Sequence, residues 1–174
     1  MLVIRKKIKD DTEEIQSLLY KTWLQTYPNK SVGVLEDDIH ELFKSSFSKE
    51  SILKKKKFFK NQVTNKFYYV CTDKKKLIGV AFLEISNTNK LRSIYVLPEY
   101  QNRGVGKKLW KKVSKHIDPT KEIIVHVATY NKKAIAFYEK LGFVDTGKRF
   151  TEERHRMPVS GVLIPEMEML WIKK

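Results

Sequence analysis

The sequence predicts a mixed α/β protein, a mostly antiparallel sheet of six or seven strands flanked by helices. Three observations predict it. Short apolar segments follow one another through residues 67–96 with only polar turns between them, which favours antiparallel hairpins. Val105, Leu109, Val113 and Ile117 then recur at helical spacing, and a near-continuous apolar run, EIIVHVAT at 122–129, follows. That strand–helix–strand order, from 91 to 129, makes one parallel, right-handed unit within the sheet.

Each element has its own signal. LVIRK at 2–6 reads as a first strand, and Thr12 with Glu14 or Ile15 opens a helix running to about Gln25. Asp37 or Asp38 is expected to cap a second helix over IHELFKSS, with acids in its first turn where the dipole favours them. A third helical stretch covers about Lys49–Asn61. FYYVCT (67–72) and LIGVAFLEI (77–85) are strands joined by the polar DKKK turn, and NTN (87–89) turns the chain into LRSIYV (91–96). The lysine-studded helix begins after Gly104, and EIIVHVAT is expected to be buried on both faces. Asn131 caps a helix that turns Ala134, Phe137, Tyr138 and Leu141 inward and stops at Gly142. VDTGKRF and PEMEMLWI complete the sheet.

Composition narrows the class. A chain of 174 residues suits one domain, 1–174, and no apolar run approaches the roughly 18 residues of a membrane span. The N-terminus, MLVIRKKIKDD, lacks a signal peptide's apolar region, so a cytoplasmic protein without membrane contact is expected. The lone Cys71 excludes an intramolecular disulfide and reads as a small core residue. The net charge of +15 raises nucleic acid as a partner, but lysine supplies nearly all of it and is spread along every segment. That pattern fits solvated faces and implies no specific nucleic acid.

The chemistry concentrates in LRSIYVLPEYQNRGVGKKLW, residues 91–110. A strand, a glycine turn and a helix N-terminus in that order suit an anion, because the first helical amides lack partners and the dipole is positive there. Gln101 stands where a P-loop needs its first glycine, and Leu109 where a dinucleotide fingerprint needs its third. What remains is Q-x-x-G-x-G, Gln101 to Gly106. Lys107 and Lys108 fall in the first helical turn, where cations are unfavourable unless an anion binds there.

This segment, followed by NKKAIAFYEKLGF at 131–143, resembles the GNAT superfamily of acetyl-CoA-dependent N-acetyltransferases over about residues 77–150. The resemblance implies a sheet splayed at its fourth and fifth strands, with acetyl-pantetheine between them against backbone groups near Ile94 and Val96. It implies that amides of Gln101, Asn102, Arg103, Gly104, Val105, Gly106 and Lys107 hold the pyrophosphate, with Arg103 adding charge and Lys107 or Lys108 reaching outer phosphates. Asn131 would contact the cofactor while also capping its helix, and Tyr138 would protonate the departing thiolate. The amine would attack the thioester directly, with no metal, in a monomer or homodimer.

An alkylammonium needs a base, for which Glu84, the one charge inside GVAFLEI, and His126, in mid-strand, are the candidates. Trp23 and Tyr27, four apart on one helical face, read either as packing or as a wall of the acceptor site, near the acids of EDDIHE (36–41) and the segment RHRMPVSGVLIP (154–165). A small-molecule amine, such as a polyamine, is the expected acceptor. The alternatives are a protein N-terminus or lysine, and, in another class, a basic nucleic-acid-binding or coenzyme A-sensing module.

Overall fold

The computed structural model describes residues 1–60, 65–117 and 120–172. In chain order it forms β1 (Leu2–Lys6), α1 (Thr12–Thr26), α2 (Glu36–Lys44), α3 (Lys49–Lys60), β2 (Lys66–Asp73), β3 (Lys76–Glu84), β4 (Asn89–Val96), α4 (Val105–Val113), β5 (Ile123–Ala128), α5 (Lys132–Lys140), β6 (Phe143–Phe150) and β7 (Glu166–Trp171). One seven-stranded sheet runs β1–β2–β3–β4–β5–β7–β6. Every neighbouring pair is antiparallel except β4–β5, which is parallel, as the strand–helix–strand unit requires. Among the described residues, no helix is long and apolar enough to cross a membrane.

The parallel pair matters most. Its register comprises Asn89↔Ile123 and Lys90↔Ile124, after which β4 continues to Val96 and β5 to Ala128 apart from each other. The sheet is therefore open between its fourth and fifth strands. α4 lies on one side of it, with Val105 and Leu109 side chains 3.1 Å from where a Cβ on Gly79 would stand. α1 packs on the other side, against β3 and β4. The principal core joins the two through Leu18, Ile78, Leu91, Leu109, Ile123 and Met169. A second cluster, with Val34, Ile39, Phe43, Met157 and Ile164, holds α2 against the segment before β7.

Three elements differ from the sequence expectation. α2 starts at Glu36, one turn position ahead of the expected Asp37 or Asp38 cap, with the extended Leu35 as its N-cap. Asp38 sits three residues into that cap motif and accepts the Leu35 N–H at 2.8 Å. Its carboxylate also takes the amides of Val159 and Ser160 (2.9 and 2.8 Å) and the Ser160 hydroxyl (2.7 Å). Burial opposes ionisation of Asp38, but the Ser160 hydroxyl and these amides together hold its pKa below the usual carboxylate value. Asp38→Ala would strand several buried donors at once. A loss of about 3 kcal/mol in chemical denaturation is expected, at the upper end for an unsatisfied buried group; a loss within 0.5 kcal/mol, the roughly neutral range of surface changes, would contradict the tie.

α4 ends at Val113, and a 3-10 turn over Ser114–His116 leads to an extended Ile117. A four-residue stripe drifts off a 3.6-residue period, so the last member of the stripe is reached by a tighter turn. Ile117 still packs against the main core. β5 is buried at Ile123, Val125 and Val127, whereas Ile124 and His126 on its other face are half-buried, because that face borders the opening. The expected third helix ends at Lys60, and Asn61 lies outside the described residues.

Candidate active site

The opening has two chemically different sides. On the α4 side, the Leu97 N–H bonds the Ile78 carbonyl of β3 at 2.9 Å. The two-residue alternation of the strand then turns the backbone groups of Ile94 and Val96 the other way, to where β5 has departed. Two side chains meet them there. The Gln101 amide donates to the Val96 carbonyl at 3.1 Å, and the phenol of Tyr138 takes a hydrogen bond from the Ile94 backbone. Gln101 thus braces the loop against β4 through its side chain.

After the 3-10 turn Pro98–Tyr100, Asn102 (φ 59°) and Gly104 (φ 75°) both adopt the left-handed conformation. A Cβ on Gly104 would have open space around it, so the glycine is needed for its φ rather than for room. The first amide of α4 to find its helical partner is that of Lys108, which bonds Gly104 O at 3.0 Å. The amides of Val105, Gly106 and Lys107 precede it and point toward the loop, forming with Gly104 a concavity of N–H groups. Arg103, Lys107 and Lys108 are exposed around it, and the Arg103 guanidinium stands 5.3 Å over the Tyr100 ring. Gly106 serves another end: a Cβ there would lie 2.9 Å from Phe137 Cζ and 3.0 Å from Cε2. The absent side chain lets α5 close on α4.

α5 begins at Asn131, whose Oδ1 accepts the Ala134 N–H at 3.1 Å. From its inner face Tyr138 reaches the opening, its ring buried against Phe137 and Phe143 at 5.3 and 5.5 Å. Burial pushes the Tyr138 phenol well above its ordinary pKa, Tyr95 adds to this, and the Ile94 hydrogen bond offsets part of it. The group is a protonated donor at any working pH.

On the α1 side lies a wall of aromatics. Tyr95 pairs with Val80 across β3 and turns toward α1, where its hydroxyl is 3.2 Å from that of Tyr27. Trp23 stacks near Tyr27 with ring centroids 4.3 Å apart and also bonds the Tyr95 hydroxyl. The Tyr130 hydroxyl donates to the Tyr27 carbonyl at 3.0 Å. Burial first, and the charge of Glu166 second, push Tyr130 up to about 12. Trp23 and Tyr27, expected from the sequence, are thus joined by Tyr95, Tyr130 and Glu166, which it did not single out.

Glu84 and His126 come out differently from one another. The Glu84 carboxylate is held by Arg92 (2.6 Å) and Lys66 (3.4 Å), and although burial opposes it, these cations keep its pKa low. It is a strand-end ion pair, poorly suited to lifting a proton. His126 borders the opening beside Lys90, whose Nζ is 2.8 Å from its Nδ1. Burial first and Lys90 second lower its pKa, so the ring is neutral at pH 7 and its Nδ1 accepts from the ammonium. His126, Glu152 and Glu166 converge within 4.8 Å, a donor set open to a metal in number, yet Lys90 already places a cation against the imidazole. Two of the acids of residues 36–41 are engaged elsewhere: Asp38 holds the segment before β7 and Glu41 pairs with Lys44 at 3.1 Å. Cys71 is buried in β2. A cavity of about 240 Å³ lined by Met1, Leu2, Asp73, Tyr100, Arg103 and Val105 lies between the loop and the β1–β2 edge of the sheet.

Known proteins match this architecture. The family model of the acetyltransferase (GNAT) domain matches residues 24–158. A probable N-acetyltransferase of Mycobacterium tuberculosis, Rv2775, is 33% identical over 78 residues, which span 45% of this chain and 42% of that relative's length. Among solved structures, the PaiA N-acetyltransferase of Thermoplasma acidophilum in complex with coenzyme A superposes with a TM-score of 0.73 and 23% identity over 99% of each chain. The ribosomal-protein-S18-alanine N-acetyltransferase of Escherichia coli gives 0.62 and 19%, over 98% of this chain and 93% of its own. At these identities the two structures share the fold.

Proposed function

The chain belongs to the GNAT family of acetyltransferases, and on that premise we propose that it transfers the acetyl group of acetyl-CoA to the amine of a small molecule inside the β4–β5 opening. The observation that carries the reading is the placement of Tyr138, a buried phenol at the Ile94 backbone with Tyr95 of the aromatic wall also acting on it. On the α4 side, the amides of Val105, Gly106 and Lys107 suit a pyrophosphate, with Arg103 and the paired lysines supplying positive charge. The backbone groups of Ile94 and Val96 suit a pantetheine arm, which would exchange with the bonds that Tyr138 and Gln101 now make there. Asn131 stands at the start of α5 on the same side, its carbonyl oxygen engaged as a cap and its amide NH2 left to donate.

On the α1 side, Trp23, Tyr27, Tyr95 and Tyr130 offer aromatic surface, and the buried Glu166 offers a negative charge. Aromatic faces and a carboxylate together recognise an organic cation. The wall is knit by hydrogen bonds among its own members, which favours a compact amine over a broad protein surface. A polyamine is one such cation. The amine would attack the thioester carbonyl directly, and Tyr138 would protonate the sulfur as the C–S bond breaks. Cys71, buried in β2 with its thiol pushed up by that burial, has no part in this, and one unpaired thiol suits the reducing cytoplasm.

The test is acetyl-CoA-dependent thiol release across a panel of alkylamines, polyamines, amino acids and short peptides. Release is expected with compact cationic amines. Release with peptide N-termini alone would move the acceptor to a protein, and release with none of the panel, while acetyl-CoA still binds, would favour a coenzyme A-sensing role.

A further inference from the structure

The acceptor's proton has to go somewhere, and the charged groups around the opening differ in their freedom to take it. Glu84 is bound by Arg92, Glu152 by Arg154, and Glu168 by Lys148 at 3.2 Å. His126 already accepts from Lys90. Glu166 is unlike them: among the described residues, its ion-pair partner is the imidazole of His155, whose Nδ1 lies 2.8 Å from Oε2. It is also a buried carboxylate, and its charge reaches Tyr27, Tyr95 and Tyr130.

Its position follows from the sheet. His126 pairs with Glu168 across β5–β7, and Glu166 lies two residues along β7, on the same face. Lys90 pairs with Ile124, again placing its side chain on the face of His126. This is the face on which Tyr95 meets α1, since Tyr95 and Lys90 oppose Val80 and Glu84, alternate residues of β3. β7 therefore brings an acid to the α1 side of the opening, across from the side where Tyr138 enters.

We propose that Glu166 is the base that deprotonates the acceptor amine, and that His155 carries the proton on to solvent. The inference rests on the acetyltransferase reading above. The balance is complete without another reactant. An ammonium gives one proton to the Glu166 carboxylate and becomes a neutral amine. Its lone pair forms the C–N bond at the thioester carbonyl. As the C–S bond breaks, the Tyr138 hydroxyl protonates the sulfur and recovers a proton from the nitrogen, which is left as an amide. One proton thus leaves through Glu166 to His155, which is one-third exposed, and the other ends on the thiol. The aromatic wall keeps the carboxylate from bulk water, and Lys90, His126, Glu152, Glu168 and Arg154 are the other charged or titratable groups that face it.

A base matters only for an amine that arrives protonated, which separates this role from a structural one. Propylamine is nearly all ammonium at pH 7, whereas methoxyamine of similar size is neutral. With Glu166→Gln, acetyl-CoA-dependent thiol release from propylamine is expected to fall about 100- to 10,000-fold at pH 7. With methoxyamine it should change less than tenfold, and the propylamine deficit should narrow as pH rises toward that amine's pKa. Heat stabilisation by acetyl-CoA should be unchanged. An equal loss with both amines, or no loss with either, overturns the proposal. Should the glutamine variant lose acetyl-CoA stabilisation, Glu166→Asp gives the same comparison: a propylamine-selective loss supports a base there, and an equal loss overturns it. Wild-type protein that binds acetyl-CoA yet acetylates neither amine would instead count against the acceptor reading beneath it.

Discussion

Tyr138→Phe is expected to lower kcat by about 100- to 10,000-fold, the usual worth of a positioned general acid. The phenylalanine ring keeps its contacts with Phe137 and Phe143, so packing survives. The hydroxyl is not idle before catalysis, however. It accepts the Ile94 N–H, and its loss leaves that amide without its partner until a ligand supplies one. A stability loss of about 1–2 kcal/mol without acetyl-CoA should accompany the change and shrink in its presence. Acetyl-CoA affinity should hold or rise slightly, because the ligand no longer competes with the phenol for β4. An unchanged kcat in the chemistry-limited regime would reduce Tyr138 to a packing residue. The same result with weakened acetyl-CoA binding would make it a ligand for the thioester in its ground state.

Gly106→Val should be the most damaging change in the loop. Its Cβ would enter the Phe137 ring at 2.9 Å, and the methyls of valine add to the overlap. Separating α5 from α4 is expected to cost about 1–3 kcal/mol, as overpacking does, and to weaken acetyl-CoA binding more than tenfold. Gly104→Val is the informative companion. No atom lies within 4 Å of its Cβ position, but φ of 75° is strongly disfavoured for a β-branched residue. It should distort the loop and weaken binding with little effect on the helix contact. Adding Phe137→Ala to Gly106→Val should return stability by opening space. Affinity that returns as well would assign Gly106 to helix packing alone, and affinity that stays low would mean its Cβ also blocks the anion. Wild-type affinity in both single variants, read by calorimetry, would remove the pyrophosphate from this loop.

The elements that define the fold were legible because their signals are local. Strands β2 to β4 are apolar segments separated by turns too short for anything but hairpins, and Asn131 and Gly142 bound α5 by cap chemistry that depends on a few neighbouring residues. The start of α4 after Gly104 likewise showed in its own spacing. The aromatic wall on the α1 side was only half legible. Trp23 and Tyr27 stood out on one helical face, but Tyr95 reads as one more strand aromatic and Tyr130 as a residue before a cap. Glu166 lies in PEMEML, where alternation says only that it faces away from Met167 and Met169. Which face, and opposite what, depends on β7 inserting between β5 and β6. No local pattern encodes that insertion. Asp38 failed for the opposite reason: a local rule made it a cap, while a tertiary tie to Ser160 decides its role. Gly106 shows the same limit, since its neighbour Phe137 is remote in sequence.

Acetyl-CoA is expected to enter from the α4–α5 side and to meet the amine through the β4–β5 opening. An amide NMR spectrum titrated with acetyl-CoA tests it most directly. The amides of Ile94, Val96, Gly104, Val105, Gly106 and Lys107 are expected to shift first, followed by Asn131. Trp23, Tyr27 and Glu166 should respond mainly when an accepted amine is added. Shifts centred instead on the cavity of Met1, Leu2 and Asp73, with the β4 and α4 amides unmoved, would contradict it.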